Sequence, residues 1–206
     1  MTKGRFITFE GIDGSGKSTQ ARTLKAVLEA DGQDVILTRE PGGSPGGEEI
    51  RNLVLTGDPD RWSAETEILL FTASRRDHLE KTIEPALNAG TTVISDRFAD
   101  STRVYQGATR GDLRSKVDQL HRLMIGREPD LTFIIDMDPE VALTRGLARN
   151  SGEDRFEDFG LAFQETLRHG FLSLAKSFPE RCVLIDGNRS PDAIATDIAT
   201  QYAART

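Results

Sequence analysis

Five short runs of consecutive apolar residues punctuate the chain: Phe6-Ile7-Thr8-Phe9, Val35-Ile36-Leu37, Thr92-Val93-Ile94, Phe133-Ile134-Ile135 and Val183-Leu184-Ile185. They are β-branched or aromatic and unbroken rather than alternating, the pattern of strands buried on both faces. Between them, apolar positions recur at helical spacing over roughly 17–30, 46–56, 63–89, 112–125, 139–149, 157–177 and 190–204. Strand and helix alternating in this way predict an α/β fold of three layers, with a five-stranded parallel sheet, right-handed crossovers and helices on both faces. No spacer has the composition of a linker, and no repeat or low-complexity tract interrupts the chain. Residues 1–206 therefore read as one domain.

The predicted strands run into charged residues: Glu10, Arg39-Glu40, Asp96-Arg97, Asp136 and Asp186. Open α/β sheets bind ligands beyond the carboxyl ends of their strands, so these are candidate site positions. Composition narrows the ligand. The net charge of −7 argues against a broad nucleic-acid surface. Yet the 26 basic residues comprise 20 Arg and only 6 Lys, and arginine offers a rigid fork for phosphate or carboxylate. One cysteine cannot form an internal disulfide; Cys182, in the run CVLID, reads as a buried core thiol. The histidines at 78, 121 and 169 and the lone cysteine have no metal-ligand spacing. With no long apolar run and no secretory leader pattern, the expectation is a soluble cytoplasmic protein without membrane contact.

The strongest local signal is Gly11-Ile12-Asp13-Gly14-Ser15-Gly16-Lys17-Ser18, which fits G-x-x-x-x-G-K-[ST] between a predicted strand and a predicted helix. Its glycines let backbone amides converge on an anion, and the new helix adds its positive dipole end. Lys17 can reach the β- and γ-phosphates of a nucleoside triphosphate, and the Ser18 hydroxyl can ligate Mg²⁺. Asp96, closing the third strand, stands where such proteins hold the Mg²⁺-bound water, or else forms a local ion pair or cap. Arg97 beside it is placed to hold a second phosphate. A guanine-reading N-K-x-D motif is absent from the sequence, which argues against a GTPase.

Other positions suggest an acceptor. Arg39-Glu40-Pro41-Gly42-Gly43, with Gly46 and Gly47, predicts a sharp turn or close backbone approach after the second strand, and Arg51 lies in the helix that follows. Phe71 and Arg75 are four apart on one helix face, with Leu79 continuing the line; the pair is either core or a platform that stacks a base and bonds its edge. Arg145, Arg149 and Arg155 fall around the polar stretch ARNSGEDR, either a solvated face or a lid at about 145–157 that brings arginine to a transferred phosphoryl group.

Taken together, FITFEGIDGSGKSTQ, TREPGGSPGGEEIR, LLFTASR, ISDRFADSTRVYQG and PDLTFIIDMDPEVALTR make the whole chain resemble the bacterial thymidylate kinase family, within the P-loop nucleoside monophosphate kinases. That resemblance implies transfer of phosphate from ATP to dTMP with Mg²⁺, and a homodimer. It implies that ATP is held by Gly11 through Thr19 (with Ile12, Gly14, Ser15 and Gly16) and by Arg145. Asp13 would organise the transferring phosphate, and Arg149 or Arg155 would reach it from the lid. Arg39 and Arg97 would bind the dTMP phosphate, Phe71 would stack on thymine, and Arg75 and Thr102 would read its edge. Tyr105 would crowd the 2′ position, while Glu40, Pro41, Arg51 and Gln106 would complete the pocket. Arg76 and Arg103 depart from the family pattern and read as surface variation. Two other readings stay open on sequence: a kinase for a different nucleoside or nucleotide, and a non-catalytic nucleotide-binding regulator.

Overall fold

The computed structural model describes residues 4–58, 61–107, 111–147 and 160–205. In it, Phe6–Glu10 forms strand β1 with every side chain buried. Its burial follows from its place in the sheet. β2 (Val35–Arg39), β3 (Thr92–Asp96), β4 (Leu131–Asp136) and β5 (Cys182–Asp186) complete an all-parallel sheet in the order β2-β3-β1-β4-β5. Side chains of β1, β3 and β4 are covered on both faces, as the unbroken apolar runs predict. β2 and β5 depart from that expectation because they are edge strands: Val35 is buried while the rest of β2 is half-buried or exposed, and Leu184 in β5 is exposed.

One face of the sheet is packed by α1 (Lys17–Ala30) and α9 (Pro191–Ala203). Ala21, Leu24, Leu28, Ile194 and Ile198 meet Ile7, Phe9 and Phe133 there. The other face carries α3 (Ala64–His78), α4 (Glu84–Asn88), α5 (Ala99–Tyr105) and α8 (Gly160–Ser177). On that side Phe6, Leu79, Leu87 and Phe98 form one cluster, and Ile12, Val104, Ile134, Leu167 and Phe171 another. Phe6 and Phe98 meet edge to face, their ring centroids 4.9 Å apart. Burying one such ring contributes about 2–3 kcal/mol. α2 (Pro45–Leu55), α6 (Arg114–Met124) and α7 (Pro139–Leu147) share the connections of α3, α5 and α8, respectively. Asp138 opens α7 as the sequence predicts, accepting from the amides of Glu140 and Val141 at 2.9 and 3.3 Å.

Two elements differ from the sequence expectation. The helix expected over 63–89 widens into a π turn at Leu79–Ile83 before continuing as α4. Pro85 lies just beyond that turn and has no amide to donate to the carbonyl of Lys81, so the regular ladder cannot run through. α5 has no counterpart in the sequence reading. It is seven residues long, and Ala99, Asp100, Thr102, Arg103, Val104 and Tyr105 are all buried, polar and apolar alike, so no division into a polar outer and an apolar inner face generates a helical period.

Because β1 lies between β3 and β4, the loop leaving β1 emerges at the middle of the sheet's carboxyl edge. Phe9 pairs with Asp96, and Asp96 with Arg39. That register brings the ends of β1, β3 and β2 to one level, and the site is built there.

Candidate active site

The segment between β1 and α1 folds as a tight loop. Gly11 and Gly14 both have positive φ, and a Cβ on Gly14 would come within 1.9 Å of the Ala142 carbonyl oxygen. The loop is therefore pressed flat against α7, its backbone turned toward the start of α1. Lys17 is buried, its Nζ donating to the Ile12 carbonyl at 2.7 Å. Burial and the nearby Arg97 guanidinium push its ammonium down to about 8, against the pull of Asp13, Asp96 and Glu10.

Ser18, in the first turn of α1, donates its hydroxyl to Asp96 Oδ2 at the end of β3. A hydroxyl and a carboxylate side by side are hard oxygen donors. Mg²⁺ is held by one or two such groups, keeping its remaining positions for water and substrate phosphate, so the pair fits that ion. Groups of three or more His, Cys, Asp or Glu able to hold a metal by themselves are absent among the described residues.

Arg97 follows Asp96 with φ at +71°, an uncommon conformation for a residue with a side chain. Its amide donates to the Phe9 carbonyl at 2.9 Å, and its guanidinium reaches back over the loop. Nη1 donates to the Gly11 carbonyl at 3.2 Å and to Ser101 Oγ at 2.8 Å; Nη2 donates to Asp13 Oδ1 at 2.5 Å and to Tyr105 Oη at 3.1 Å. Asp13 also accepts from Tyr105 Oη at 2.6 Å. Burial alone would raise the Asp13 carboxyl, but the Arg97 and Lys17 charges outweigh it and hold the group well below the usual carboxylate range.

Glu10 secures this side from beneath. Its carboxylate accepts from the Phe98 amide at 2.8 Å, the Ser101 amide at 3.3 Å and Ser101 Oγ at 2.6 Å, anchoring the start of α5. Burial, with the Asp100 charge nearby, pushes Glu10 up to about 7.

A cavity of about 240 Å³ opens over these groups. Asp13, Lys17, Ser18, Asp96 and Arg97 line one end. Arg39, Glu40, Pro41, Arg51, Phe71, Arg75, Thr102, Tyr105 and Gln106 line the other. Arg75 is buried, with Nε on Glu40 Oε2 at 2.7 Å and Nη2 on Thr102 Oγ1 at 3.0 Å. Gln106 Nε2 donates to Glu67 Oε2 at 3.1 Å, and Arg51 Nη1 to the Pro41 carbonyl at 2.6 Å. Arg39 is exposed at the mouth and paired with Glu48 at 3.3 Å. Thr19 lies outside the cavity lining. So does Arg145, which is exposed on α7 with Nη1 on Met137 Sδ at 3.4 Å. Arg149 and Arg155 lie outside the described residues.

The structure corrects one reading. Arg76 is a surface residue, paired with Glu80 and bonded to the Met124 carbonyl. Arg103 is not: it is 3 % exposed and bridges Asp100, Asp118 and Glu128 at 2.8, 2.8 and 2.5 Å. It ties α5 to α6 and to the loop before β4, roles that show only once those elements are assembled. Sequence reasoning also passed over Leu55, Phe98 and Ser101, which line the cavity. Phe98 and Ser101 sit inside the motif block ISDRFADSTRVYQG, which was the available signal.

The sheet order, the glycine loop opening α1 and the Ser18–Asp96 pair at the carboxyl edge define a P-loop NTPase of the kinase type. The family model described as Thymidylate kinase matches residues 9–198. The Thymidylate kinase of Dinoroseobacter shibae is 72 % identical over 195 residues, covering 95 % of this chain and 94 % of that protein. That of Caulobacter vibrioides is 52 % identical over 206 residues, covering 100 % and 99 %. The crystal structure of thymidylate kinase from Ehrlichia chaffeensis superposes with a TM-score of 0.77 at 37 % identity, covering 97 % of this chain and 99 % of that one. The chain belongs to the thymidylate kinase family.

Proposed function

We propose that the chain transfers the γ-phosphoryl group of ATP to the phosphate of dTMP, giving ADP and dTDP. The observation that carries this reading is one cavity lined at one end by Lys17, Ser18, Asp96 and Arg97 and at the other by Phe71, Arg75 and Thr102. The names of its relatives support the choice of acceptor.

The acceptor phosphate is itself the nucleophile, its second pKa being roughly 6, so no strong base is required. The work is to hold two polyanions in line and offset charge as the phosphoryl group moves. Lys17 and the amides of the loop hold the ATP phosphates. Arg97, fixed by Asp13, Ser101 and Tyr105, holds the acceptor phosphate beside them, with Arg39 at the mouth. Phe71 stacks on thymine, Arg75 and Thr102 bond its edge, Tyr105 crowds the 2′ position, and Glu40, Pro41, Arg51 and Gln106 close the pocket. Ser18 and Asp96 would hold Mg²⁺, which when bound offsets charge on the phosphate oxygens. Arg145 contributes to the ATP side, and Arg149 or Arg155 reaches the transferred group from a lid at about 145–157 of a single domain.

The same reading makes the protein a cytoplasmic homodimer. No helix among the described residues is long and apolar enough to cross a membrane. Leu69 and Leu123, 60 % and 81 % exposed on α3 and α6, suit an isologous apolar patch. A coupled ADP-release assay with dTMP, dUMP, dCMP, UMP and thymidine tests the activity. Turnover highest with dTMP supports it; turnover highest with another acceptor, or with none, overturns it.

A further inference from the structure

His78, in the last turn of α3, does not line the cavity and is fully buried. Both ring nitrogens are nevertheless engaged. Nδ1 lies 3.0 Å from Glu40 Oε1, and Nε2 lies 2.7 Å from Thr38 Oγ1 on β2. Facing a carboxylate, which only accepts, Nδ1 is the donor, so Glu40 fixes the role of that nitrogen; Nε2 is left to the Thr38 hydroxyl, which can adapt as donor or acceptor. The other Glu40 oxygen accepts from Arg75 Nε at 2.7 Å, and Arg75 goes on to Thr102 Oγ1 at 3.0 Å. An unbroken series of hydrogen bonds thus runs Thr38, His78, Glu40, Arg75, Thr102, from an edge strand to the far wall of the cavity.

The surrounding packing leaves the ring little freedom. A Cβ on Gly43 would lie 2.3 Å from His78 Nε2, so the glycine loop is drawn flush against the imidazole. Thr82 Oγ1 holds the Gly43 carbonyl at 2.8 Å, and the Glu40 amide is fixed to the Asp96 carbonyl at 2.9 Å. With its backbone fixed, Glu40 has only its side-chain torsions left to set where Oε2 points, and the His78 bond to Oε1 sets them.

We propose that His78 is a positioning residue for acceptor recognition: by holding Glu40 Oε1 it aims Oε2, and through it the Arg75 guanidinium, at the acceptor base. This rests on the reading of Arg75 as the base-contacting residue of a dTMP kinase.

The test compares two replacements in the full chain. His78→Asn keeps an amide donor near the Nδ1 position; His78→Gln places its polar group toward Thr38 and withdraws the donor to Glu40. Steady-state kinetics in both substrates, and calorimetric titration of dTMP without ATP, are read for each. His78→Gln is expected to raise KM and Kd for dTMP by about 10-fold, with KM for ATP unchanged and kcat within about twofold; His78→Asn is expected to restore most of the dTMP affinity. Equal loss in both variants, or equal rises in both KM values, would show that the ring only fills space and would overturn the proposal. Should His78→Gln fail to fold, Thr38→Val removes only the hydroxyl that bonds Nε2 and holds the ring from the β2 side. It is expected to raise KM for dTMP alone, and no change or a rise in both would likewise overturn the proposal. The wild-type acceptor panel separates the two levels. Wild-type turnover of dTMP with unaffected variants defeats only the role of His78, whereas a different preferred acceptor defeats the functional reading, and the KM split is then read on that acceptor.

Discussion

Tyr105 of α5 donates its phenolic hydrogen to Asp13 of the phosphate loop across 2.6 Å, although 92 residues separate them. Each is suited to its part: burial keeps the phenol well above its ordinary pKa, while Arg97 and Lys17 keep Asp13 ionised against the effect of burial. The same ring lines the cavity and lies 5.0 Å from the Arg97 guanidinium. Tyr105→Phe should therefore cost about 1 kcal/mol, or about 2–4 °C in Tm, while retaining the preference for a deoxyribose acceptor, because the ring remains. Tyr105→Ala should relax that preference. Thermal unfolding and the ratio of kcat/KM for dTMP over its ribose counterpart check both.

Lys17 is the only lysine lining the cavity among the described residues, and it is buried against the loop it serves. Lys17→Ala should lower kcat by about 10²–10³-fold, the loss typical of removing one group that offsets transition-state charge. ADP release at saturating substrates measures this; near-wild-type kcat would remove Lys17 from the chemistry.

Arg75→Ala should separate the two substrates. KM for dTMP should rise by at least about 10-fold with KM for ATP unchanged. The variant should also lose about 3–5 kcal/mol of stability, because the buried Glu40 carboxylate loses its ion-pair partner. Denaturant titration and two-substrate kinetics report the two effects independently. Equal rises in both KM values would place Arg75 outside the base pocket.

Glu10 gives a stability prediction with a definite sign. Its folded pKa of about 7 exceeds the ordinary 4.5, so its contribution is fully present below about pH 4.5 and is lost as pH rises through 7. The stability of Glu10→Gln relative to wild type should accordingly increase by about 2–3 kcal/mol between pH 4.5 and 8, then level off. Urea midpoints at several pH values test it; a constant difference would show that Glu10 does not titrate in that window.

Cys182 is 7 % exposed, and burial pushes its thiol up to about 12. It should resist maleimide in the native protein at pH 8 and label fully in guanidinium. Rapid native labelling would contradict the burial.

The parts of this molecule that were legible in its sequence are those in which neighbouring residues act together. The phosphate loop is contiguous, so the spacing of Gly11, Gly16, Lys17 and Ser18 was enough to place it. The central strands announced themselves because burial on both faces leaves no room for polar alternation. Phe71 and Arg75 were found as a pair because one helical turn joins them, though the choice between core and cavity needed the fold. Other features depend on contacts between distant segments. His78 carried no signal, since its partners at 38 and 40 come from another element. Arg103 read as surface charge because its acidic partners at 118 and 128 belong to later segments. α5 was hidden because burial on every side erased its period.

The strand pair β1–β3 has a consequence for how the two substrates are brought together. Arg97 hangs from the Phe9 carbonyl through its own amide and from the Gly11 carbonyl through its guanidinium, and Glu10 grips the helix beyond it. The phosphate loop and Arg97 are consequently two outgrowths of one pair of strands. On the proposed reading, the spacing between the two phosphate-holding groups is set by the pairing of β1 with β3 rather than by the helices packed around them.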